Sequence, residues 1–333
     1  MINFGIIGTG WITTSFVAGA HATGRWSLGA VYSRKADSAK HFASKYDQPI
    51  GIHTTLESLT ANDNISAVYI ASPNSLHFAQ AKQILSAGKH VILEKPATST
   101  SQELDTLFKI AKEKGVFLIE AYRHLHERNF KILQSALPRL GPIYGASITY
   151  GQYSSRYDKV LQGEVPNIFS LEYSGGALVD LGVYCVSAAV ALFGEPEQAV
   201  YHPVIISTGA DGGGFVLLKY VTFSVSLNFS KIYNSNAPTE VYGEKGTLQT
   251  PTVTDIEEVR FWDPKVKESM ESLGQGKEHL NLMEEAQEFA RIIQEKDYEA
   301  ARKWERVSRG VIKVTEKVRK ENGLLFPVEK EAQ

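Results

Sequence analysis

The stretch that most constrains the fold lies at the N-terminus, where residues 2–13 read Ile-Asn-Phe-Gly-Ile-Ile-Gly-Thr-Gly-Trp-Ile-Thr. Its apolar, β-branched and aromatic front half predicts a strand buried on both faces, and Gly8-Thr9-Gly10 ends that strand abruptly. Helix-like sequence follows through about Ala20, so the chain opens with a strand, a glycine-rich turn and a helix. In such a unit a pyrophosphate lies at the helix N-terminus, where unpaired N–H groups and the helix dipole attract an anion.

The two glycines of this turn have separate uses. Gly8 suits the tight turn, and Gly10 lets the backbone approach phosphates because no Cβ intervenes. Thr13 departs from the pattern, since the third position usually holds Gly or Ala. We predict a dinucleotide site whose contacts come from the turn and the first helical residues, namely Gly8, Thr9, Gly10, Trp11 and Ile12. The alternative is a strand-to-helix turn with no ligand.

Composition narrows the class of protein. With 333 residues the chain is longer than one core usually grows, so two domains are expected. The formal charge of −2 without a long basic tract argues against nucleic acid or a membrane surface as partner, which leaves small molecules. Cys185 is the only cysteine, which fits a reducing, cytoplasmic setting. The N-terminus lacks the basic region of a signal peptide, and the apolar stretch 177–193, interrupted by Asp180, predicts a buried core helix.

Strand-like and helix-like segments alternate from the N-terminus to about Ala121 and then stop alternating. This predicts an α/β domain over residues 1–121, with a mostly parallel doubly wound sheet, helices on both faces and ligands at the carboxyl ends of the strands. Residues 122–333 are predicted to form a second, substrate-binding and oligomerisation domain.

The end of the second strand predicts which dinucleotide binds. An NAD-specific site places Asp or Glu there to hold the ribose hydroxyls, but this chain reads Val31-Tyr32-Ser33-Arg34-Lys35. A hydroxyl followed by two cations suits a 2′-phosphate, with Ser33 as a donor and Arg34 beside the adenine. NADP(H) is therefore favoured over NAD(H), and a solvated basic loop is the alternative.

Two further strand ends carry polar residues. Ser72-Pro73-Asn74, with His77 after it, follows one strand, and Glu94-Lys95-Pro96 closes the next. Ser72 and Asn74 are also typical of a helix N-cap. Lys95 ends a buried strand before a proline that stops the ladder, and it lies at the sheet edge where a nicotinamide would bind. A surface pair of Glu94 and Lys95 is the alternative.

Three motifs, in this order and spacing, resemble those of the Gfo/Idh/MocA oxidoreductases: Gly8-Thr9-Gly10, Ser72-Pro73-Asn74 with His77, and Glu94-Lys95-Pro96. The resemblance runs over essentially the whole chain. The resemblance implies an N-terminal Rossmann domain, a C-terminal α+β domain on a large open, mostly antiparallel sheet, and hydride transfer between NAD(P) and sugars, polyols or related alcohols. It also implies that the cofactor is lined by the second and third motifs, Ser72, Pro73, Asn74, His77, Glu94 and Lys95. Lys95 is further expected to reach the substrate.

The most informative run of the second half extends from Ser174 to Tyr184. Asp180 and Tyr184 are four residues apart and share one face of an apolar predicted helix, where a carboxylate is costly unless it has a partner or a function. A structural ion pair of Asp180 is the alternative. The run matches the family motif Gly-Gly-x-Leu-x-Asp-x-Gly-x-[His/Tyr], which implies that Tyr184 occupies the catalytic place. Tyr there resembles the dihydrodiol and xylose dehydrogenases and glucose–fructose oxidoreductase.

An alcohol that gives up a hydride must also lose its hydroxyl proton, and the oxygen must be stabilised meanwhile. We expect Lys95 and Tyr184 to converge on that oxygen, with Tyr184 transferring the proton and Lys95 polarising the oxygen. Asp180 would orient a second hydroxyl or the lysine. The roles of Lys95 and Tyr184 can also be exchanged. The alternative function is a cofactor-binding sensor or regulator without turnover, against which the three intact residues argue.

The remaining expectations concern the second half. Arg156, in a polar and aromatic loop suited to sugars, resembles a position that touches cofactor or substrate in some family members, and a plain surface loop is the alternative. His124 and His126 lack a nearby third ligand, so no metal site is predicted. The run 223–230 alternates apolar with small polar residues. In this family an open sheet face joins subunits, which implies a homodimer or homotetramer, although solvent could cover the face instead.

Overall fold

The structure, a computed structural model, describes residues 1–266 and 270–330. Its strands are β1 Ile2–Ile7, β2 Trp26–Tyr32, β3 Gly51–His53, β4 Ala67–Ile70, β5 His90–Glu94, β6 Leu118–Ala121, β7 Ile143–Gly151, β8 Gln198–Ile205, β9 Asp211–Lys219, β10 Ser224–Ser230, β11 Thr239–Gly243, β12 Gly246–Thr250, β13 Arg260–Trp262 and β14 Met270–Ser272. The α-helices are α1 Trp11–Ala22, α2 Ala36–Ala43, α3 Leu56–Thr60, α4 His77–Ser86, α5 Ser101–Lys114, α6 Arg123–His126, α7 Arg128–Ala136, α8 Tyr157–Leu161, α9 Val183–Phe193, α10 Met283–Glu295, α11 Tyr298–Glu321 and α12 Pro327–Lys330. A π-helical turn, Leu178–Gly182, precedes α9.

The described chain divides into two compact units, residues 1–121 with 278–308, and residues 122–277 with those from 309 onward. The ranges expected from the sequence, 1–121 and 122–333, did not include the return of residues 278–308 to the first unit. That return has a physical basis in α10, whose apolar residues Ala286, Phe289 and Ile292 are fully buried in the core of the first unit. An amphipathic helix shows that it must be covered but does not show which sheet covers it.

The first unit is built on a parallel sheet, and its strand order across the described residues is β3-β2-β1-β4-β5-β6. This is the doubly wound order, in which the chain adds strands toward one edge of the sheet up to β3 and toward the other edge from β4 onward. The point of reversal lies between β1 and β4. The predicted N-terminal Rossmann fold is therefore confirmed. In such sheets ligands bind outside the carboxyl ends of the strands at the reversal point.

Two contacts attach α10 to this sheet. The indole Nε1 of Trp26 donates a hydrogen bond to the carbonyl of Ala286 at 2.8 Å. Gly19 in α1 lies so close to α10 that a Cβ there would come within 2.8 Å of the backbone nitrogen of Met283. The close approach of α1 and α10 closes the core on one side of the sheet.

The second unit contains a larger sheet with the order β14-β13-β12-β11-β7-β10-β9-β8 among the described strands. β7 and β10 are parallel, whereas the other neighbours are antiparallel. The predicted mostly antiparallel sheet is therefore confirmed. Along β8 and β9 the side chains alternate: Val200, Phe215 and Leu217 are 49%, 53% and 50% exposed, while their neighbours in the strands are buried. One face of the sheet thus carries apolar residues that the unit itself does not cover.

The π-helical turn and α9 pack against the other face of this sheet. Asp211 anchors the start of the turn, because its Oδ2 accepts hydrogen bonds from the backbone N–H of Leu178 at 2.6 Å and from the Tyr201 hydroxyl at 2.7 Å. Burial raises the pKa of Asp211, and those two hydrogen bonds oppose the rise. Gly176, at φ +137°, has no space for a side chain, since a Cβ would lie 2.1 Å from Oδ1 of Asp211. The Gly-Gly part of the motif is therefore a packing requirement.

Within the described residues, one helical stretch, Leu171–Phe193, is long and apolar enough to cross a membrane, and 72% of its apolar window is buried inside the protein. This burial is the pattern of a core helix, as the sequence predicts for residues 177–193. The absence of a membrane partner stays a prediction.

Candidate active site

The glycine turn after β1 lies at the reversal point of the Rossmann sheet. Gly8 has φ +99°, and a Cβ there would lie 2.4 Å from the carbonyl oxygen of Ala71, so only glycine fits. Apart from Gly10 itself and its neighbours in the chain, no described protein atom comes within 4 Å of the Cβ position of Gly10, which therefore faces open space. Neither a side-chain cap nor an acidic residue occupies the first turn of α1. Its N–H groups are therefore suited to hold a pyrophosphate.

The residues that begin α1 have different environments. Trp11 is 74% exposed, whereas Ile12 is half-buried and packs against the core of the first unit. Thr13, at the position that is usually glycine, is fully buried, and its hydroxyl has no hydrogen-bond partner in residues 1–266 and 270–330. The threonine is therefore accommodated inside the unit. The contacts of Thr9, Trp11 and Ile12 with a dinucleotide stay predictions.

The loop after β2 carries the residues predicted to bind the 2′-phosphate of the adenosine ribose. Ser33 is half-buried, and its Oγ accepts a hydrogen bond from the backbone N–H of Lys35 at 3.3 Å. Arg34 and Lys35 are exposed, and the first acidic residue along the chain is Asp37, inside α2. The loop therefore has the cationic character that a 2′-phosphate requires, although its selectivity stays a prediction.

The loops after β4 and β5 are joined by a buried histidine. Nε2 of His77 lies 2.9 Å from the carbonyl oxygen of Ser72, and Nδ1 lies 2.9 Å from that of Pro96. Burial lowers the pKa of His77, the two carbonyls oppose that effect, and Lys95 adds to it. Because the protein occupies both ring nitrogens, His77 fixes the two loops, and its direct contact with a cofactor stays a prediction.

The remaining residues after β4 do not cap α4. Ser72 donates its hydroxyl to Oε1 of Gln80 at 2.6 Å, and the residue that precedes α4 is Leu76, whose side chain caps nothing. The N-cap alternative for Ser72 is therefore wrong. Asn74 begins a short 3₁₀ helix, Asn74–Leu76, and Pro73 is exposed.

Glu94 ends β5 and Lys95 follows it, and a residue of the core holds the Glu94 carboxylate. Tyr69, which stacks on Phe16 with ring centroids 3.9 Å apart, donates its hydroxyl to Oε1 of Glu94 at 2.6 Å. The backbone N–H of Lys95 donates to Oε2 of Glu94 at 3.3 Å. Glu94, Lys95 and Pro96 are all half-buried, and the Lys95–Pro96 peptide bond is cis. The surroundings do not fit the alternative of an exposed surface pair.

In the second unit, Tyr184 is the second residue of α9 and is almost completely buried, with 9% of its surface exposed. The rings of His124 and Tyr150 contact it edge to face, with centroids 5.0 Å and 5.3 Å away. The guanidinium carbon of Arg123 lies 5.8 Å from its ring centre. The phenol is therefore held in one orientation by two rings and a cation.

Asp180 forms an ion pair with Lys231 inside the same unit, which confirms the structural alternative for this carboxylate. The side chain of Lys231 is 2% exposed and that of Asp180 is 32% exposed. Lys231 also donates to the carbonyl of Ile168 at 3.3 Å and lies 4.6 Å from the ring centre of Phe169. An ion pair does not prevent Asp180 from accepting a further hydrogen bond, so its contact with a substrate hydroxyl stays a prediction.

The surroundings of Arg156, His124 and His126 show no cofactor or metal site of their own among the described residues. Arg156 is exposed, directly precedes α8, and donates its backbone N–H to Oγ of Ser154 at 3.3 Å. His124 and His126 are buried in α6, and Nε2 of His124 lies 3.1 Å from Oγ of Ser187. The described residues contain no group of three His, Cys, Asp or Glu side chains arranged to hold a metal ion. A role of Arg156 at the cofactor and the lack of a metal both stay predictions.

Two residues at this site were not singled out from the sequence. Lys231 follows the alternating strand β10, and a lysine directly after such a strand was a weak signal for a buried cation. Arg123 gave no local signal, because its acidic partner Asp255 is 132 residues away.

Comparison with known proteins agrees with this architecture. Residues 2–122 match the model of the oxidoreductase family with an NAD-binding Rossmann fold, and residues 137–249 match the GFO/IDH/MocA C-terminal domain. The uncharacterized oxidoreductase YgjR of Escherichia coli is 40% identical over 332 residues, which is 99% of both chains. The scyllo-inositol 2-dehydrogenase (NADP(+)) IolU of Bacillus subtilis is 39% identical over 331 residues, again 99% of both.

Among solved structures, KijD10, a 3-ketoreductase from Actinomadura kijaniata in complex with NADP and TDP-benzene, has the same fold. It superposes with a TM-score of 0.81 at 23% identity over 96% of this chain and 97% of its own. The two family models and the two relatives matched along the whole chain show that the chain belongs to the Gfo/Idh/MocA family and is an NAD(P)-dependent oxidoreductase acting on CH–OH groups.

Proposed function

We propose that this enzyme transfers a hydride between NADP(H) and a hydroxyl-bearing ring carbon of a cyclic polyol or sugar. The observation that carries the proposal is the uncapped N-terminus of α1 beside the open space at Gly10, which suits the pyrophosphate of a dinucleotide. The cationic loop at Ser33 and Arg34 supports the choice of NADP(H). The relative IolU, similar along the whole chain, acts on scyllo-inositol with NADP(+), which supports a cyclic polyol.

When bound, the nicotinamide would accept or supply the hydride. In the proposed reaction Lys95 donates a hydrogen bond to the reacting oxygen and stabilises its negative charge. Tyr184 takes the hydroxyl proton in oxidation and returns it in reduction, a role that typically contributes about 10²–10⁴-fold. Asp180, held by Lys231, accepts a hydrogen bond from a neighbouring hydroxyl and so selects substrates with adjacent oxygens. Exchange of roles between Lys95 and Tyr184 is a variant of the same proposal.

The proposal includes a homodimer or homotetramer in a cytoplasmic setting. The exposed apolar residues Val200, Phe215 and Leu217 on β8 and β9 support the oligomer, because contiguous apolar surface of this kind marks interaction sites. Sedimentation of the parent and of Phe215→Glu tests this point. The parent should sediment as an oligomer and the variant as a smaller species, and a monomeric parent would contradict it.

The main experiment measures NADPH formation by absorbance with purified protein, NADP⁺ and a panel of cyclic polyols and aldoses that includes scyllo-inositol. Lys95→Met is expected to bind NADP⁺ like the parent but to lose about 10³-fold in kcat. The matched control Lys82→Met removes an exposed lysine of α4 and should turn over normally. Parent-like turnover in Lys95→Met would contradict the mechanism, and NADPH binding without turnover across the panel would favour a sensor.

A further inference from the structure

A cation lies against the phenol ring of Tyr184 inside the second unit. Arg123 reaches it from α6, with its guanidinium carbon 5.8 Å from the ring centre and only 12% of its side chain exposed. A guanidinium within about 6 Å of a ring centre is attracted by the ring electrons. Because water is mostly excluded here, the charge also acts more strongly on nearby groups than it would in solvent.

The position of this guanidinium is fixed by two carboxylates. Nη2 of Arg123 lies 2.6 Å from Oδ2 of Asp255, and Nη1 lies 3.5 Å from Oε1 of Glu127. Lys277 holds the other oxygen of Asp255 at 2.6 Å. Burial opposes the charge on Arg123, but the hydrogen bond that Arg123 donates to Asp255 and the proximity of Tyr184 raise the pKa of Arg123 further above its already high value. Arg123 is therefore a permanent positive charge.

The loop that supplies Asp255 is itself held in a strained conformation. Asp255 has φ +55°, in the left-handed region that residues other than glycine seldom adopt. Glu127 stabilises it by accepting the backbone N–H groups of Asp255 at 2.8 Å and of Ile256 at 2.7 Å. Asn129 adds a hydrogen bond from its Nδ2 to the carbonyl of Ile256 at 2.8 Å. Strain of this kind persists only where the surroundings enforce it. These hydrogen bonds therefore hold the Asp255 carboxylate at Arg123.

Nη1 of Arg123 is held near Glu127 by charge alone and donates no hydrogen bond to it. Nη1 is buried, and in the described part of the chain it has no hydrogen-bond acceptor of good geometry. Two carboxylates therefore orient the guanidinium without consuming all its donors. Positive character is left for an oxygen that becomes negative beside it.

We propose that Arg123 is a positioning residue that stabilises the negative charge arising on the Tyr184 oxygen as a proton moves between that oxygen and the substrate. The inference rests on the proposed function of Tyr184. In oxidation the hydroxyl proton of the alcohol passes to the Tyr184 oxygen while the hydride leaves carbon for the nicotinamide, and a carbonyl forms. Arg123 exchanges no proton in either direction.

This role has a consequence for the dependence of turnover on pH. Several charged or titratable side chains surround Tyr184 in its own unit. The side chains of Arg123, His124 and Tyr150 lie against its ring, and those of Glu127, Asp255 and Lys277 surround the guanidinium. Asp180, which pairs with Lys231, lies four residues before Tyr184 in the chain. Arg123 is the only member of this described set that combines a permanent positive charge with direct contact to the ring. Removing that charge should shift the pH profile of kcat for alcohol oxidation to higher pH.

The first test compares Arg123→Gln, which keeps a planar polar group without charge, with Arg123→Lys. For Arg123→Gln we expect kcat for oxidation near neutral pH to fall by about 10–100-fold, and the pH profile to move upward by about one unit. KM for NADP⁺ should stay within about twofold because the cofactor residues are elsewhere in the chain. Arg123→Lys should recover about half of the loss in log kcat, because lysine restores the positive charge but not the planar, two-pronged donor group of arginine.

The matched control is Arg139→Gln, which removes a half-exposed arginine of the same unit that pairs with Glu271. It should leave kcat and its pH profile unchanged. A parent-like profile for Arg123→Gln would overturn the inference. Should Arg123→Gln not fold, Arg123→Lys carries the test, and a parent-like kcat and profile in that variant would overturn the inference equally.

A second readout needs neither cofactor nor substrate. In protein labelled with ¹³C at tyrosine Cζ, the Tyr184 resonance is identified by its absence from Tyr184→Phe. We expect it to reach the phenolate chemical shift at higher pH in Arg123→Gln than in the parent, and identical titrations would refute the proposal. If the resonance responds but Tyr184→Phe turns over normally, the electrostatic inference stands and the proposed function of Tyr184 fails.

Discussion

The two units hold their candidate residues in different ways. In the first unit the candidates follow strands of a parallel sheet, as Gly8 follows β1 and Lys95 follows β5, and the backbone itself forms much of the site. In the second unit Asp180 and Tyr184 lie on helical turns and are held by charged side chains from distant parts of the chain. The first arrangement is therefore expected to be sensitive to added atoms and the second to removed charges.

The largest expected effect on stability concerns the ion pair of Asp180 and Lys231. Asp180→Asn leaves an almost fully buried ammonium without its carboxylate and should cost about 3 kcal/mol of unfolding free energy. Lys231→Met removes the buried charge and leaves a carboxylate that solvent reaches, so it should cost only about 1 kcal/mol. Urea unfolding of both variants measures this asymmetry. Equal losses would mean that burial of the lysine does not control the pair.

The next effect separates two glycines of the same turn. Gly8→Ala places a Cβ against the carbonyl of Ala71 at positive φ and should cost about 2–3 kcal/mol of stability. Gly10→Ala meets no described protein atom, so stability should change by less than about 0.5 kcal/mol, while NADP⁺ affinity falls about tenfold because the Cβ enters the phosphate space. Thermal unfolding and fluorescence titration distinguish the two. Unchanged affinity in Gly10→Ala would remove the pyrophosphate from this turn.

A pH effect tests the electrostatics of the second unit. Burial raises the pKa of Glu127 to about 7, against the hydrogen bonds from Ile256 and Asp255 and the charge of Arg123. The folded state therefore keeps a proton that the unfolded chain has lost. The resulting stabilisation is complete below the ordinary value of 4.5 and disappears as the pH rises toward 7.

The glutamine of Glu127→Gln is uncharged at every pH. Between pH 4.5 and 7 the unfolding free energy of this variant should therefore fall by about 2 kcal/mol less than that of the parent. Urea unfolding at several pH values measures the slope. Glu164→Gln, at an exposed carboxylate of the same unit, should keep the slope of the parent. If Glu127→Gln kept that slope as well, the carboxyl would titrate alike in the folded and unfolded states.

The smallest expected effect concerns the choice of dinucleotide. Arg34→Glu replaces the exposed cation after β2 with the carboxylate typical of NAD-specific sites. The ratio of kcat/KM for NADP⁺ to that for NAD⁺ should fall by about tenfold, with thermal stability unchanged. A constant ratio would show that this loop does not contact the 2′-phosphate.

The sequence predicted the first unit well because one rule governs it. Alternating strands and helices force parallel strands, and their carboxyl ends share one edge of the sheet, so the placement of Gly8, Ser33 and Lys95 followed from their order along the chain. The buried strand expected before Lys95 is β5, His90–Glu94. The return of α10 to this unit was not predictable, because an apolar helix face does not identify its partner.

The candidate site of the second unit was predictable only in part. The motif around Asp180 and Tyr184 identified both residues, but not Lys231, which is 51 residues from Asp180, or the pairing of Arg123 with Asp255. Such pairs are set by a mixed sheet whose strand order no local pattern reveals. A single core helix was predicted over residues 177–193, but its first part, Leu178–Gly182, is π-helical and α9 begins only at Val183.

The π-helical turn has a consequence for how this protein can change. A π turn holds one more residue than the α-helical repeat, so deleting a single residue between Leu178 and Gly182 would let the segment close into an ordinary helix. The residues of the turn would then point in different directions relative to α9, and the aspartate and the tyrosine would lose their present relative orientation. Spacing is thus as constrained here as residue identity. Working homologues should tolerate substitutions in this turn far better than gaps.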